Sequence, residues 1–187
     1  WKTGHRISPE FEKQLRQEGR LQQAADGSSD DLWLCPSHPE NQRIEIEAQL
    51  EVVRNYDVDG VHFDYIRYPG SSHCFCPGCR ERFEKQVGEK INDWPRHVRR
   101  GGAFYEQYLG FRRDNITLVV RSVSEKARAI RPDIKISAAV FRSAPTDRDS
   151  IGQDWQMWCE QGWLDFVCPM NYLDSTLVFK NLIIRQQ

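Results

Sequence analysis

The sequence lacks any apolar run long enough to cross a membrane. Apolar residues make up 39% of the chain, but they occur in short stretches, whereas a membrane-spanning helix needs about 20 in succession. The chain also lacks an excess of either charge, since its formal net charge is −1. A general nucleic-acid-binding protein would be clearly basic. We therefore expect a soluble globular protein with no transmembrane segment and no nucleic-acid partner.

The chain has no recognisable signal peptide, internal repeat or low-complexity tract. It begins with Trp1 rather than Met, so the missing signal does not exclude export. Six cysteines are more than most cytosolic domains carry and fewer than a disulfide-stabilised scaffold needs, which leaves the redox compartment open. With 187 residues the chain is long enough for one domain with its own core.

The segment at residues 58–69 predicts a buried strand, because it is short, β-branched and aromatic and stops at a Pro-Gly turn. Side chains alternate along a strand, so His62, Asp64 and Ile66 are expected on one face. The opposite face is expected to carry Val61, Phe63 and Tyr65. A carboxylate in a buried strand is costly unless it is paired or functional. Asp64 is therefore the first candidate for chemistry, with a structural hydrogen bond to a neighbouring loop as the alternative.

Strand and helix patterns alternate along the rest of the chain. Further buried strands are predicted at residues 134–141 and 164–172. Helices are predicted from Ser8 to Gly19, over residues 44–56, around Phe83, and over residues 104–130, 153–161 and 175–185, with a loop at 144–147. The apolar stripe of the helix at 44–56 recurs every fourth residue and is widened by two more: Ile44, Ala48, Val52 and Tyr56, then Leu50 and Val53.

This alternation predicts parallel strands joined by right-handed crossovers. Only three strands are clear, whereas a closed (β/α)8 barrel needs at least about 200 residues. We therefore predict an α/β fold in which residues 1–187 form a single domain, a partial TIM barrel. A cysteine-containing insertion at about residues 70–102 interrupts the pattern.

Several motifs closely resemble the glycosyl-hydrolase-like 10 family of bacterial proteins. They are WLCPSHPE from Trp33, YDVDGVHFDYIRYP from Tyr56, RDNI from Arg113, DWQMWCEQG from Asp154 and DFVCPMNY from Asp165. The resemblance implies a glycosidase-type barrel in which the three predicted strands are the fourth, fifth and sixth. It also favours an extracytoplasmic location. The other strands of the barrel would lie outside this chain.

A fainter similarity to family 18 chitinases concerns the same strands. The chitinase fourth strand reads Asp-Gly-x-Asp-x-Asp-x-Glu, and the sixth ends Met-x-Tyr-Asp. The matching residues here are Asp59, Gly60, His62, Asp64 and Ile66, then Met170 and Tyr172. Ile66 stands where those enzymes have the catalytic Glu, so their substrate-assisted mechanism does not carry over. Asp64 is retained.

Hydrolysis of a glycosidic bond usually needs two carboxyl groups and no cofactor. Asp64 can supply one of them. Asp174, just past the last predicted strand, is the candidate for the other, and a residue outside this chain is an equal alternative. Asp165 begins its strand and therefore lies at the wrong end of the sheet.

Substrate-binding roles are predicted for seven residues: His62, Tyr65, Arg67, Tyr68, Asn171, Tyr172 and Trp1. For Arg67 and Tyr68, a salt bridge and a packing ring are equally good interpretations, and His62 either orients Asp64 or, more favourably, fills the barrel interior. Trp1 and three other tryptophans are candidates for stacking on sugar rings: Trp33, Trp155 and Trp158. The helical spacing of the last two predicts that at least one is buried.

Three thiols lie close together in the predicted insertion: Cys74, Cys76 and Cys79. A Cys-Pro-Gly-Cys sequence is typical of a tetrahedral zinc knuckle, and any such metal would be structural. His73, His97 or another cysteine would complete it, while disulfide pairing and free buried thiols are the alternatives. The remaining cysteines are interpreted as small apolar core residues: Cys35, Cys159 and Cys168.

The leading interpretation is a hydrolase that acts on O-glycosidic bonds of a polysaccharide or glycan. The second is a non-catalytic carbohydrate-binding barrel, which Ile66 favours, and the third is another barrel hydrolase or lyase. A second carboxylate within roughly 5–10 Å of Asp64 would favour the hydrolase. A mouth lined by aromatic residues without a partner acid would favour binding. The sequence does not determine the sugar, the linkage, the oligomeric state or any protein partner.

Overall fold

Three short strands form a parallel sheet. The computed structural model describes Lys2 and residues 7–29 and 32–186, with the backbone alone at residue 185. The strands are β1 (Gly60–Phe63), β2 (Lys135–Val140) and β3 (Phe166–Pro169), hydrogen-bonded in that order. Gly60 is in register with Lys135, and Ser137 with Phe166. The prediction of three parallel strands is confirmed.

Helices connect the strands and cover the sheet. Along the described residues they are α1 (Pro9–Gln17), α2 (Pro39–Asn55), α3 (Pro77–Val87), α4 (Tyr105–Ile130), α5 (Ala144–Ile151), α6 (Trp155–Glu160) and α7 (Thr176–Gln186), with a 3-10 turn at Arg96–Val98. Helix α2 packs against α4 and β1. No helix in this described part of the chain combines the length and the apolar character that crossing a bilayer requires.

Local capping signals decide where two of these helices begin. Ser8 caps α1 as predicted, since its Oγ accepts a hydrogen bond from the backbone N of Phe11 at 3.1 Å. The predicted loop at 144–147 is wrong, because these residues open α5. Pro145 suits the first turn of a helix, and the Asp147 carboxylate accepts a hydrogen bond from the backbone N of Ser143 at 2.7 Å.

The buried face of α2 differs from the predicted stripe. Leu50 and Val53 are fully buried, as expected, but Ile44 is 37% exposed and Tyr56 is 60% exposed. Ile46 enters the core instead. Helix α2 therefore has more apolar side chains than its contacts with α4 and β1 bury. The spacing of these residues in the sequence did not show which of them would be exposed.

A buried polar contact holds the first turn of α2 in this orientation. Asn41 is fully buried, and its Oδ1 accepts a hydrogen bond from Nε of Arg20 at 2.7 Å. Its Nδ2 donates to the backbone carbonyls of Arg20 at 2.9 Å and Cys35 at 3.0 Å. Because leaving a buried amide unpaired is costly, these bonds anchor the helix to the two segments that precede it.

The segment predicted as an insertion shares its core with the sheet. Its helix α3, expected around Phe83, buries Phe83 fully, in one apolar cluster with Val61 of β1 and Ile136 of β2. Tyr108 of α4 completes the contact, with its ring centroid 4.9 Å from that of Phe83 and 5.3 Å from that of Trp94. This segment therefore belongs to the same core as the strands that carry the predicted site.

Glu84 fastens the end of α3 to the loop that follows it. Its carboxylate accepts hydrogen bonds from Nζ of Lys90 at 2.9 Å, from the backbone N of Ile91 at 3.0 Å and from Nε of Arg80 at 2.9 Å. These donors, Lys90 first, lower the pKa of Glu84 from 4.5 to about 2. The carboxylate is therefore ionised at neutral pH and keeps all three contacts.

Candidate active site

Asp64 lies directly after β1, at the carboxyl end of the parallel strands. Its side chain is exposed, and its Oδ1 accepts a hydrogen bond from the backbone N of Tyr65 at 2.7 Å. Ligands of α/β folds bind at this edge of the sheet. The carboxylate is therefore held by its own turn and faces solvent at the edge where chemistry is expected.

The predicted alternation of side chains ends at Asp64. Tyr65 has a φ of 54°, in the left-handed region that non-glycine residues seldom adopt. The chain turns there, so Tyr65 is 40% exposed whereas Ile66 is 3% exposed. The expectations that Tyr65 shares a face with Phe63 and that Ile66 shares one with Asp64 are both wrong. Ile66, which stands where the similar chitinases have their catalytic Glu, therefore lies in the core.

His62 contacts the neighbouring strand. Its Nδ1 lies 2.8 Å from Oγ of Ser137, the residue opposite it in register on β2. The imidazole is exposed. His62 therefore has Ser137 as its partner. The two roles considered for it, orienting Asp64 and filling the barrel interior, did not include this contact.

Arg67 forms the centre of an aromatic cluster beside Asp64. Its guanidinium carbon lies 4.6 Å from the ring centroid of Phe141, 5.0 Å from that of Tyr65 and 5.5 Å from that of Trp33. Burial lowers the pKa of Arg67 from its usual value. We call Trp33, Tyr65, Arg67 and Phe141 the aromatic wall. The sequence analysis missed Phe141, although its position just after β2 placed it at the right edge.

Tyr68 lies in the core and not at the surface. It is fully buried, and the guanidinium carbon of Arg112 lies 4.4 Å from its ring centroid. Burial raises the pKa of Tyr68 well above its usual value. The substrate-contact prediction is therefore wrong for Tyr68, and its alternative interpretation as a packing ring is correct.

The end of β3 presents Asn171 and Tyr172. Nδ2 of Asn171 donates to Oε1 of Gln186 at 2.8 Å, and Nε2 of Gln186 donates to the carbonyl of Arg142 at 3.0 Å. Asn171 is thus tied to α7 through Gln186, a residue that the sequence analysis missed. Tyr172 is 85% exposed, and Asp174 is exposed in the loop between β3 and α7.

Three of the four predicted stacking tryptophans are buried. Trp158 is inaccessible, and its Nε1 donates to Oγ1 of Thr117 at 2.9 Å. Trp155 is 8% exposed and Trp33 is 6% exposed. The burial expected for at least one of the two helical tryptophans holds for both. Trp1 lies outside the described residues.

Four thiols meet in the core of the described structure. The Sγ atoms of Cys35, Cys74, Cys76 and Cys79 lie within 4.8 Å of one another, and all four side chains are buried. Three were expected here, but Cys35 had been interpreted as a core residue and is the fourth member. Hydrogen bonds from the other three thiols lower the pKa of Cys35 well below its usual value. This donor set can hold a metal ion.

The other two cysteines do not belong to this cluster. Cys159 is half-buried and Cys168 is exposed, so the expected core position is wrong for Cys168. A separate cleft of about 460 Å³ lies between the predicted insertion, α4 and α5 and is lined by residues such as Tyr105 and Arg112. None of the predicted site residues that the structure describes lines it.

The chain matches a known family over most of its length. The model described as "Glycosyl hydrolase-like 10" matches residues 9–185. Glycosyl hydrolase DigH of Escherichia coli (strain K12) is 30% identical over 159 residues, which cover 78% of this chain and 33% of DigH. Glycosyl hydrolase YngK of Bacillus subtilis (strain 168) is 24% identical over 156 residues, 75% of this chain and 28% of YngK. The chain thus spans about a third of the length of these relatives.

The fold is similar to that of a solved glycoside hydrolase domain. The PgaB (BpsB) glycoside hydrolase domain from Bordetella bronchiseptica superposes with a TM-score of 0.69 at 13% identity, over 89% of this chain and 50% of that chain. At this level of identity the likeness concerns the fold. It is an α/β fold with a parallel sheet, as in the TIM-barrel domains of glycoside hydrolases.

Proposed function

Because the chain belongs to the glycosyl hydrolase-like 10 family, we propose that the full protein hydrolyses O-glycosidic bonds in a polysaccharide or glycan. Asp64 is the proposed main catalytic carboxylate. The observation that supports it is its exposed position directly after β1, beside the aromatic wall. The chemistry draws on carboxyl groups and water and requires no cofactor.

Asp174 is the proposed second carboxylate. Support comes from the topology, since Asp64 follows β1 and Asp174 follows β3, and both strands run parallel to β2. A gap of about 5 Å between two such carboxyl groups gives retention, and a gap of about 6.5–9.5 Å leaves room for water and gives inversion. A carboxyl group from strands outside this chain is the alternative partner.

Substrate binding is assigned to the exposed side chains around Asp64. Tyr65 and Tyr172 expose their rings and can stack on the apolar faces of sugars. Arg67 donates from its aromatic setting to hydroxyl groups, and the exposed His62 is available at the same edge. Asn171 is a further proposed substrate contact, and its hydrogen bond to Gln186 positions its side chain.

A non-catalytic carbohydrate-binding barrel is the second candidate function. The observation that favours it is Ile66, which is buried where the similar chitinases carry their acid. In that case the aromatic wall, which includes Tyr65, and the exposed Tyr172 would bind sugar, and Asp64 would serve as a hydrogen-bond acceptor.

One assay separates the two functions. The full-length protein is incubated with a panel of bacterial polysaccharides, and newly formed reducing ends and retained binding are measured on the same samples. We expect reducing ends to accumulate with at least one polysaccharide, because a carboxyl group at the strand ends can take one of the two carboxyl roles that glycosidic hydrolysis needs. Binding without any cleavage would favour the carbohydrate-binding barrel instead.

We propose that β1, β2 and β3 are the fourth, fifth and sixth strands of a TIM barrel completed by the rest of the protein. In support, β1 and β3 each have one strand partner among the described residues. Apolar side chains near β3 are exposed as well: Phe166 is 52%, Leu177 68% and Ile184 61% accessible. The solved PgaB domain is also about twice as long as the part that this chain covers.

Residues 1–187 expressed separately are therefore expected to be marginally stable or poorly soluble. Open strand edges and uncovered apolar faces favour association over cooperative folding. Circular dichroism melting and size-exclusion chromatography of this segment, with the full-length protein as the control, provide the measurement. A compact monomer with a sharp melting transition would contradict the barrel assignment.

The proposed location is extracytoplasmic, which the family resemblance favours. Fractionation of cells that express the full-length gene, followed by immunodetection, tests it. Recovery of the protein in the cytoplasmic fraction would contradict it.

A further inference from the structure

The four clustered thiols have the spacing of a tetrahedral metal site. A zinc ion with Zn–S bonds of about 2.3 Å at tetrahedral angles holds its sulfurs about 3.8 Å apart. Sγ of Cys35 lies 3.4 Å from that of Cys79, 3.7 Å from that of Cys76 and 3.9 Å from that of Cys74. We infer that Cys35, Cys74, Cys76 and Cys79 bind one structural zinc ion.

Disulfide pairing does not fit this arrangement. A disulfide joins two sulfurs at about 2.0 Å and leaves the others unpaired. Here Cys35 stands at nearly equal distances from three partners. All four sulfurs lie within 4.8 Å of one another, which leaves room for a single ion between them. Four soft thiolate donors in this shape select zinc over hard cations such as magnesium and calcium.

The surroundings of the sulfurs provide the hydrogen bonds that such a site needs. The backbone N of Cys79 donates to Sγ of Cys76 at 3.4 Å, at the start of α3. Nη2 of Arg82 lies 3.8 Å from Sγ of Cys35 and donates to Oγ of Ser37 at 2.9 Å. Four thiolates and one Zn²⁺ carry a net charge of −2, and both the arginine and the positive end of the helix offset it.

The ion would join two segments that meet only in the fold. Cys35 follows Trp33, and the other three ligands follow the turn that carries Tyr65 and Arg67. The ring centroids of Trp33 and Tyr65 are 5.7 Å apart, so the same two segments also meet in the aromatic wall. All four coordination positions are filled by protein sulfur, and no position is open for a catalytic water. The zinc therefore holds the two segments together and takes no part in the reaction.

Metal analysis of the full-length protein tests this assignment. We expect about one zinc per chain in the wild type, and close to none after Cys76→Ser removes one ligand. Cys159→Ser is the matched control, because Cys159 lies outside the cluster, and it should retain the full equivalent. Absence of stoichiometric metal from the wild type, or stoichiometric iron in place of zinc, would overturn the assignment.

Cys76→Ser could fail to fold, so a second pair of variants keeps the fold and probes the same site. Arg82→Ala should weaken zinc affinity about 10–100-fold, as loss of a hydrogen-bond donor to a metal ligand does in other sites. Arg80→Ala is the control, since Arg80 lies on the same helix and contacts Glu84 instead. Equal zinc affinities for these two variants would contradict the role of Arg82 in the site.

Thiol labelling of the wild type adds a readout that needs no substitution. In the native protein we expect Cys168 and then Cys159 to react, and the four cluster thiols to react only after a chelator removes the metal. Cobalt(II) added to the chelated protein should give the intense visible bands of a tetrahedral thiolate site. A disulfide that includes Cys35, or cluster thiols that label equally fast with and without the chelator, would overturn the proposal.

Discussion

Asp64→Asn is expected to lower the turnover of the full-length protein about 10²–10⁴-fold, the loss typical of a missing general acid or base. The substitution keeps the size of the side chain and removes its ionisable group. The remaining amide oxygen can still accept the hydrogen bond from the backbone N of Tyr65. Since Asp64 is exposed, the melting temperature should change little. Initial rates on the most rapidly cleaved polysaccharide, measured alongside thermal melts, provide the test.

Asp59→Asn is the matched control for this experiment. Asp59 is also exposed, and it precedes β1, at the end of the sheet opposite Asp64. We expect its turnover to stay close to that of the wild type. Full activity of Asp64→Asn would assign the chemistry to another carboxylate, and equal losses in both variants would point to a general effect on folding.

Arg112→Met is expected to lower the free energy of unfolding by about 3 kcal/mol, because it removes the charged donor that three backbone carbonyls share. Arg112 is 3% exposed. Its Nη2 donates to the carbonyls of Gly70 at 2.7 Å and Ser150 at 3.1 Å, and its Nη1 to that of Asp149 at 3.3 Å. One side chain thus joins the turn after β1 to the end of α5.

The neighbouring Arg113 provides the control for that measurement. It is partly exposed and pairs with the Asp149 carboxylate at 2.9 Å. Ion pairs at such positions contribute little, so Arg113→Met should cost less than about 1 kcal/mol. Urea denaturation of both variants in the full-length protein compares them directly. Similar losses for the two would mean that the buried network of Arg112 is not what holds these loops.

The sequence by itself determined the features that depend on nearby residues. The alternation of three strands with helices, the cap at Ser8 and the position of Asp64 at a strand end all follow from contacts within a few residues. The family also follows from linear motifs, because these are short stretches read in order. Such features need no knowledge of which distant segments meet.

The tertiary structure decided the features that depend on distant partners. Ile66 is buried because the chain turns at Tyr65, which interrupts the alternation that an extended strand would have kept. Cys35 joins three thiols about forty residues further on, and nothing in its own neighbourhood distinguishes it from a small core residue. Tyr68 is buried because Arg112, from α4, covers its ring. The residues of one segment determine which secondary structure it can form. The burial of a side chain and its neighbours in space depend on which distant segment packs against it.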